Sequence, residues 1–442
     1  MLFLGVDLGG TFLKSGLLDL EESRVTAVRR RAFPEFLNPR VSGAREIDPE
    51  ALFQGVLKEL ETRKQERPEI QGLVFSSQMH SMILANPDTG ESLGPATTWQ
   101  DQRSLHDGTW DRISQNTSDS ELWELGNELK PGYPVSVLAS MKRTGAQLGS
   151  KQSPAMLLNL ADWLILRLSR LRPQLHPTQA AATGAWLTGK KRWATEWARQ
   201  WMGTEIVLPD VEEPTAFRSF EFLGHSWKIL PSIGDQQAAL LGSGLEQAEI
   251  SLNVATGSQV SKLISSWPTV PIKDYQIRPF FGDLLLATVT HLPAGRALNA
   301  WIRALGFLAL ERGATEDEIW SELEALAQPA RVGAHSPKMD LSLFPCRTGS
   351  EGSVLGLTEE NLTPGHLFWA AIQRMTLNFA EAAESLPAST PAQIRASGGL
   401  ILKSELLRAE ASRLMKLPLV LPEISEDVLN GLLIYARTAN NK

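Results

Sequence analysis

The sequence predicts a layered α/β protein built in two halves. Short apolar strands alternate with amphipathic helices, polar residues gather where strands end, and a strand–glycine turn–strand unit occurs once in each half. At 442 residues the chain exceeds what one hydrophobic core usually holds, so two domains are expected, divided as residues 1–231 and 232–442.

Residues 2–20 read as a hairpin. An apolar strand holding Asp7 runs into Gly9-Gly10-Thr11, and the glycine pair is expected to supply the positive φ of the turn. Residues 50–63 carry Leu52, Val56, Leu57 and Leu60 at helical spacing, with Asp48-Pro49 as N-cap and first-turn proline. Residues 72–77 form a buried strand whose end presents Gln78-Met79-His80, and residues 96–100 form another that ends at Asp101-Gln102-Arg103. The middle is helical: residues 156–168 pack apolar side chains around Asp162, and Trp193, Trp197 and Trp201 recur at the spacing of a core stripe. Residues 205–231 are proline-dotted and irregular, which places the domain junction there. The second half then repeats the pattern. It holds the Asp235 loop, a hairpin over 250–264 with Thr256-Gly257-Ser258 at its bend, and helices at 294–312, 315–328 and 364–386. A strand at 394–397, the pair Gly398-Gly399 and a helix over 404–415 close it.

Composition narrows the function. Apolar and charged fractions of 43% and 21% are those of an ordinary globular protein. A net charge of −7 argues against nucleic acid and anionic membrane partners, which need basic patches. The lone Cys346 excludes an internal disulfide and a zinc-binding cysteine cluster. No apolar run approaches the roughly 20 residues needed to cross a bilayer. The N-terminal apolar run is broken by Asp7 and lacks the basic lead-in of a secretory leader. The expectation is a cytoplasmic monomer or homodimer with small-molecule partners.

The two hairpins suggest phosphate grips, because phosphates need backbone N–H groups aimed into a concave turn that glycine lets them approach. Gly9, Gly10 and Thr11 supply one, with Asp7 beside them to face a metal; Thr256, Gly257 and Ser258 supply the other. Each turn alone is equally an ordinary hairpin, and the pairing gives them weight. Lys14 reads as a residue of the strand's wet face. Residues 184–191 nearly spell a P-loop, but Lys191 stands where a hydroxyl residue is needed and no strand precedes it. Asp235 reads as the N-cap of a helix starting at Gln236. In that place the helix's positive end keeps it ionised, as a base that accepts a hydroxyl proton must be. Gln78, Met79 and His80 offer the neutral hydrogen-bonding groups a polyol needs, Trp99 a wall, and Asp101 a hydroxyl acceptor unless Arg103 neutralises it.

In their order along the chain these segments resemble the FGGY carbohydrate kinases. The matches are Asp7-Leu8-Gly9-Gly10-Thr11, Ser77-Gln78-Met79-His80, Trp99-Gln100-Asp101-Gln102-Arg103, Gly234-Asp235-Gln236-Gln237-Ala238-Ala239, Asn253-Val254-Ala255-Thr256-Gly257-Ser258 and Ala396-Ser397-Gly398-Gly399. The resemblance implies two actin-like (ribonuclease H-like) ATPase lobes around a central cleft, with ATP and Mg²⁺ as cofactors. It implies Asp235 as catalytic base and, with Asp7, metal holder, Gly398 and Gly399 beside the adenine, and Gln78, Met79, His80 and Asp101 near the sugar. Met79-His80 is unlike the Arg-Glu pair of glycerol kinases and is similar to xylulokinases and sedoheptulokinases.

Departures from the family pattern bear on the substrate more than on the reaction. They are Gly9-Gly10-Thr11-Phe12 in the first turn, Ser81 after the histidine, Gln179 in place of an acid, and the drifted segments Leu292-Pro293-Ala294-Gly295 and Phe344-Pro345-Cys346-Arg347. The expected activity is phosphorylation of a ketose, sedoheptulose- or xylulose-like. Alternatives are ribulose, gluconate or glycerol as acceptor, or a sugar-sensing protein of this fold without turnover.

Overall fold

The computed structural model describes the chain except residues 147, 151–152, 332–335, 345, 388–389, 423–425 and 441–442. Pro345, in the drifted Phe344–Arg347 segment, therefore lies outside the described residues.

Two large sheets organise the molecule. The first runs Arg218–Phe222, His225–Ile229, Ile70–Ser77, Leu2–Leu8, Phe12–Asp19, Arg24–Ala32, with Ile233–Gly234 pairing onto the end of Ile70–Ser77. The second runs Gln276–Pro279, Leu285–Leu292, Ser258–Ile264, Glu249–Val254, Gln393–Ser397, Leu419–Val420. Their centres match. Each expected hairpin forms, a third antiparallel strand flanks its second arm, and a parallel strand flanks its first arm. The repetition read as hairpin to hairpin is thus a repetition of sheet topology.

Period-two alternation decides what each face of the first sheet carries. Leu4, Val6 and Leu8 pack with Leu52, Val56 and Leu60 of the Pro49–Glu66 helix, which begins as expected with Asp48 accepting from Glu50 N–H. Phe3, on the opposite face, packs with Leu18, Val74, Ala238, Leu429 and Leu432. Asp7 has Phe3's parity, so it faces the side occupied by the Asp235–Gly242 and Asp427–Asn440 helices.

The Asp427–Asn440 helix was not among the elements expected from sequence, and it ties the two ends of the chain together. It meets Asp235–Gly242 through glycines on both sides. A Cβ on Gly431 would overlap the Ala238 carbonyl, and one on Gly242 would overlap the Asp427 carbonyl. We propose residues 1–231 and 232–442 as the two lobes in sequence, with this helix and the Ile233–Gly234 strand returning to the first sheet.

Several expectations change in detail. Residues 205–231 are not irregular: they hold the Arg218–Phe222/His225–Ile229 hairpin, whose alternating Phe220 and Trp227 enter the first core. The tryptophan stripe is only partly helical. Trp193 belongs to a short strand, while Trp197 and Trp201 lie on Thr195–Met202, all three half-buried against the core. The strand at 96–100 shrinks to Ala96–Thr97. The P-loop-like run forms a single 3-10 turn at Thr188–Lys190, and Lys191 pairs with Asp283. No helix among the described residues is long and apolar enough to cross a membrane.

Because there is no space at the glycine crossing, Gly431→Ala is expected to destabilise the protein by roughly 1–3 kcal/mol through overpacking. The open turn at Gly257, where a Cβ meets nothing within 4 Å, should accept alanine without that loss. Thermal melts of the two variants check this.

Candidate active site

Strand pairing brings the expected residues together. Asp7 is opposite Ser76 in the parallel register, and Ser76 Oγ donates to Asp7 Oδ1 at 2.8 Å. One step on, Gly234 pairs with Ser77, and Asp235 follows immediately. The loop before Asp235 is anchored from below: Asp162 accepts from Ser232 N–H and Ser232 Oγ, both at 2.9 Å, and Gly234 N–H donates to Thr178 Oγ1 at 3.1 Å.

Asp235 is not the N-cap. Gly234 caps, and Asp235 is the first helical residue, its Oδ1 accepting from Gln236 N–H at 2.9 Å. Nor does the helix end dominate its ionisation. Burial pushes its pKa up to about 6, against the pull of the backbone N–H groups of Gln236 and Met79. Asp7 rises further, to about 7, first by burial and then by the charge of Asp235. Two carboxylates that feel each other in a partly dry place favour a shared proton or a cation.

The first turn works differently from expectation, since neither Gly9 nor Gly10 has a positive φ. The turn is closed by Gly9 N–H donating to Phe12 O at 3.1 Å, and the glycines serve by lacking a side chain. A Cβ on Gly10 would lie 3.5 Å from Trp99 Nε1 and 3.9 Å from Gln78 Oε1, so the turn, the indole and the amide face one another. Gly10 and Thr11 are exposed, and Lys14 is tied to Glu426 at 3.3 Å rather than standing free on the wet face.

In the second turn Thr256 and Gly257 are exposed and Ser258 is buried. The drifted Leu292–Gly295 segment packs beneath it, with Gly295 and Arg296 N–H groups donating to Ala255 and Thr256 carbonyls. Gln236 Nε2 donates to Gln259 Oε1 at 3.1 Å, joining the Asp235 helix to this hairpin. Gly398 has φ +94° and presses against Val254, leaving no room for a side chain, while Gly399 opens a short helix with free space about it. Asn253 Nδ2 donates to Ser397 Oγ at 2.9 Å, which aligns the Ser397-Gly398-Gly399 turn with the second hairpin.

Buried polar atoms with no partner usually mark a ligand or a water. Both amide atoms of Gln78 and Oγ of Ser258 are buried and unpartnered. No cluster of three or more metal-binding side chains exists among the described residues. Two carboxylates suit Mg²⁺, which usually takes one or two from the protein and the rest from water and phosphate oxygens.

The sugar-side residues divide. His80 adopts φ +63°, stacks on Tyr133 at 3.8 Å between ring centroids, and donates from Nδ1 to Ala182 O at 2.9 Å. Burial drives its pKa down to about 3, so the ring is neutral and Nε2 is an acceptor. Met79 is buried against Arg278, and Trp99 is 47% exposed beside the first turn. Asp101 must be corrected. It is fully buried, and its two oxygens take Arg45 N–H, Arg103 N–H and the Arg103 guanidinium at 2.8–3.1 Å, so it does not face a sugar. Arg103 also reaches Glu46.

Sequence reasoning missed a second layer of charge. Arg278, from the second sheet, donates to Glu128 Oε1 at 2.8 Å and reaches Gln236 Oε1 and Met79 Sδ; Tyr133 OH donates to Glu128 Oε2. Burial pushes the Glu128 carboxyl up, and Arg278 overrides it, holding the acid well below the usual range. These residues lie 150 positions apart, in segments with no periodic signal.

The molecule therefore has the two-sheet, actin-like fold, with a glycine turn in each sheet and a carboxylate pair at the end of the first. Residues 2–218 match the family model described as the FGGY family of carbohydrate kinases, N-terminal domain. A sedoheptulokinase from Mus musculus is 23% identical, covering 94% of this chain and 93% of its own length. A glycerol kinase from Thermus brockianus is 26% identical, covering 96% and 87%. The crystal structure of gluconate kinase from Lactobacillus acidophilus superposes with a TM-score of 0.86 at 21% identity, covering all of this chain and 89% of that one. The chain belongs to the FGGY carbohydrate kinases and is a phosphotransferase with an alcohol group as acceptor.

Two outcomes follow from these environments. Asp101→Asn breaks a buried ion pair and is expected to cost roughly 3–5 kcal/mol of stability while the remaining folded enzyme keeps its sugar KM; melts and kinetics on one preparation check both. His80, with its pKa depressed below the ordinary value, stabilises the fold fully above about pH 6.5 and loses that contribution as pH falls toward about 3. Its ring resonances should therefore stay unshifted between roughly pH 5 and 8.

Proposed function

We propose that this kinase transfers the γ-phosphoryl group of ATP to a terminal hydroxyl of an open-chain sugar, with Asp235 as general base. The observation that carries the reading is the meeting of Asp7 and Asp235 between the two glycine turns, beside the unpartnered Gln78 amide. A carboxylate whose pKa is raised to about 6 is still ionised near neutrality, yet basic enough to take a hydroxyl proton as the bond to phosphorus forms.

Gly9, Gly10 and Thr11 on one side and Thr256, Gly257 and Ser258 on the other are assigned to the phosphates, and Gly398 and Gly399 to the adenine. Asp7 and Asp235 are the residues to hold Mg²⁺, which neutralises phosphate charge when bound. On the acceptor side Gln78, Met79, His80 and Trp99 form the wall. The neutral His80 accepts from a sugar hydroxyl through Nε2, and the Gln78 amide can both donate and accept. Arg278 holds Gln236 and Met79, and so fixes the acceptor wall relative to Asp235. A ketose of the sedoheptulose or xylulose kind presents the terminal hydroxyl this arrangement needs.

ADP release measured with sedoheptulose, xylulose, ribulose, gluconate and glycerol tests the reading: a strictly acceptor-dependent signal is expected, and ATP turnover indifferent to every acceptor would refute it. Asp235→Ala should lower kcat by roughly 10²–10⁴ while the protein still folds, checked by kinetics and a melt on one preparation. A variant that keeps most of its turnover removes Asp235 as the base.

A further inference from the structure

Lys130 is a half-buried cation without an acid. Its ammonium reaches Thr290 Oγ1 at 3.2 Å and His291 Nδ1 at 3.1 Å, both uncharged partners from the second sheet, and it forms no ion pair with any described residue. Burial pushes its pKa down to about 8, and burial with the neighbouring Lys130 charge holds His291 neutral, its pKa down at about 4. The nearest acid, Glu128, is already committed to Arg278 and Tyr133. The fully buried arginines are paired, Arg63 with Glu59, Arg103 with Asp101 and Glu46, Arg278 with Glu128, whereas Lys262, on the second sheet, like Lys130 is given only a neutral acceptor, the Pro387 carbonyl. Lys130 differs in standing beside the residues that contact Gln236 and Met79. An ammonium taken out of water and given only neutral acceptors is a costly arrangement that a bound anion relieves.

Its position says where that anion belongs. Contacts lead from Asp235 through its neighbour Gln236 to Arg278, then to Glu128, and two residues on to Lys130. The Lys130 charge is felt at His80, which stacks on Tyr133 in the acceptor wall. Lys130 therefore stands on the acceptor side, at the end away from the base. We propose that Lys130 reads a carboxylate at the far end of the acceptor, so that the preferred substrate is an open-chain sugar acid, an aldonate, rather than a neutral ketose or alditol. This rests on the phosphoryl-transfer reading above and replaces its neutral ketose with an acid as the preferred acceptor. Asp235 receives the proton of the terminal hydroxyl, that oxygen bonds to the γ-phosphorus, and the bond to ADP breaks. The carboxylate remains unchanged at the opposite end, paired with Lys130.

The test compares kcat/KM of the wild-type enzyme for gluconate with those for glucitol and fructose, which match its carbon count but carry no charge, and for sedoheptulose and xylulose. The aldonate is expected to win by at least about tenfold. Lys130→Met should raise the gluconate KM by at least about tenfold and the neutral acceptors' KM far less, whereas Lys130→Arg should recover much of the preference. Sedoheptulose, xylulose or another neutral acceptor matching or beating gluconate in the wild type overturns the proposal while leaving the kinase reading intact, and needs no variant to fold. Equal KM increases for charged and neutral acceptors in Lys130→Met overturn it too, making Lys130 a structural tie to Thr290 and His291. Absence of ADP release with every acceptor overturns the phosphoryl-transfer reading and this proposal together.

Discussion

The molecule turns on two carboxylates held where neither is comfortable. Asp7 reaches its place through the parallel pairing of Leu2–Leu8 with Ile70–Ser77, and Asp235 through the short Ile233–Gly234 strand at the end of the same ladder. Burial raises both pKa values toward neutrality, and the charge of Asp235 raises that of Asp7 further. Left alone, such a pair is destabilising; facing a cation and a proton-releasing hydroxyl, it is ready for work. Much of the surrounding structure holds that proximity. Asp162 and Thr178 fix the loop before Asp235, and the Asp427–Asn440 helix presses Asp235–Gly242 onto the first sheet through two glycines.

Communication between the halves is polar. Arg278 belongs to the second sheet, yet its guanidinium is shared among Glu128, Gln236 and Met79, while Lys130 reaches back to Thr290 and His291 on a neighbouring strand. Hydrogen bonds to charged groups in a partly dry environment are directional and strong, so they set the register of Met79 and Gln236 against Asp235. Backbone contact reinforces this: Ile277 N–H donates to Gly126 O at 2.8 Å, and no side chain fits at Gly126. The surroundings of Gln78-Met79-His80 are thus built from both halves, although the motif itself lies in one.

Much of this was legible in the chain. Helix 49–66 announced itself through Asp48-Pro49 and its apolar spacing, and both hairpins through strand–glycine–strand runs, because such local signals depend on near neighbours. The Asp235 loop was legible for the same reason. What escaped were features decided by distant partners. Asp101 looks like a free acceptor until Arg45 and Arg103 fold around it. Glu128 and Arg278 are ordinary charges in sequence. The 218–229 hairpin was obscured by the prolines around it, and the last helix lay beyond the final motif, where nothing drew attention to its apolar spacing.

By itself, the sequence determined the two central hairpins with their glycine turns, the helix over 49–66, the carboxylate candidates and the order in which they arrive, since these follow from local periodicity and from what glycine and aspartate do to the backbone. Only the tertiary structure decided which carboxylates are free and which are spent in ion pairs, where Asp235 stands on its helix, and that Lys130 has only neutral hydrogen-bond partners among the described residues. Those properties depend on burial and on charges far away in the chain. Electrostatic energies are set by distance and dielectric, and neither exists until the chain has folded.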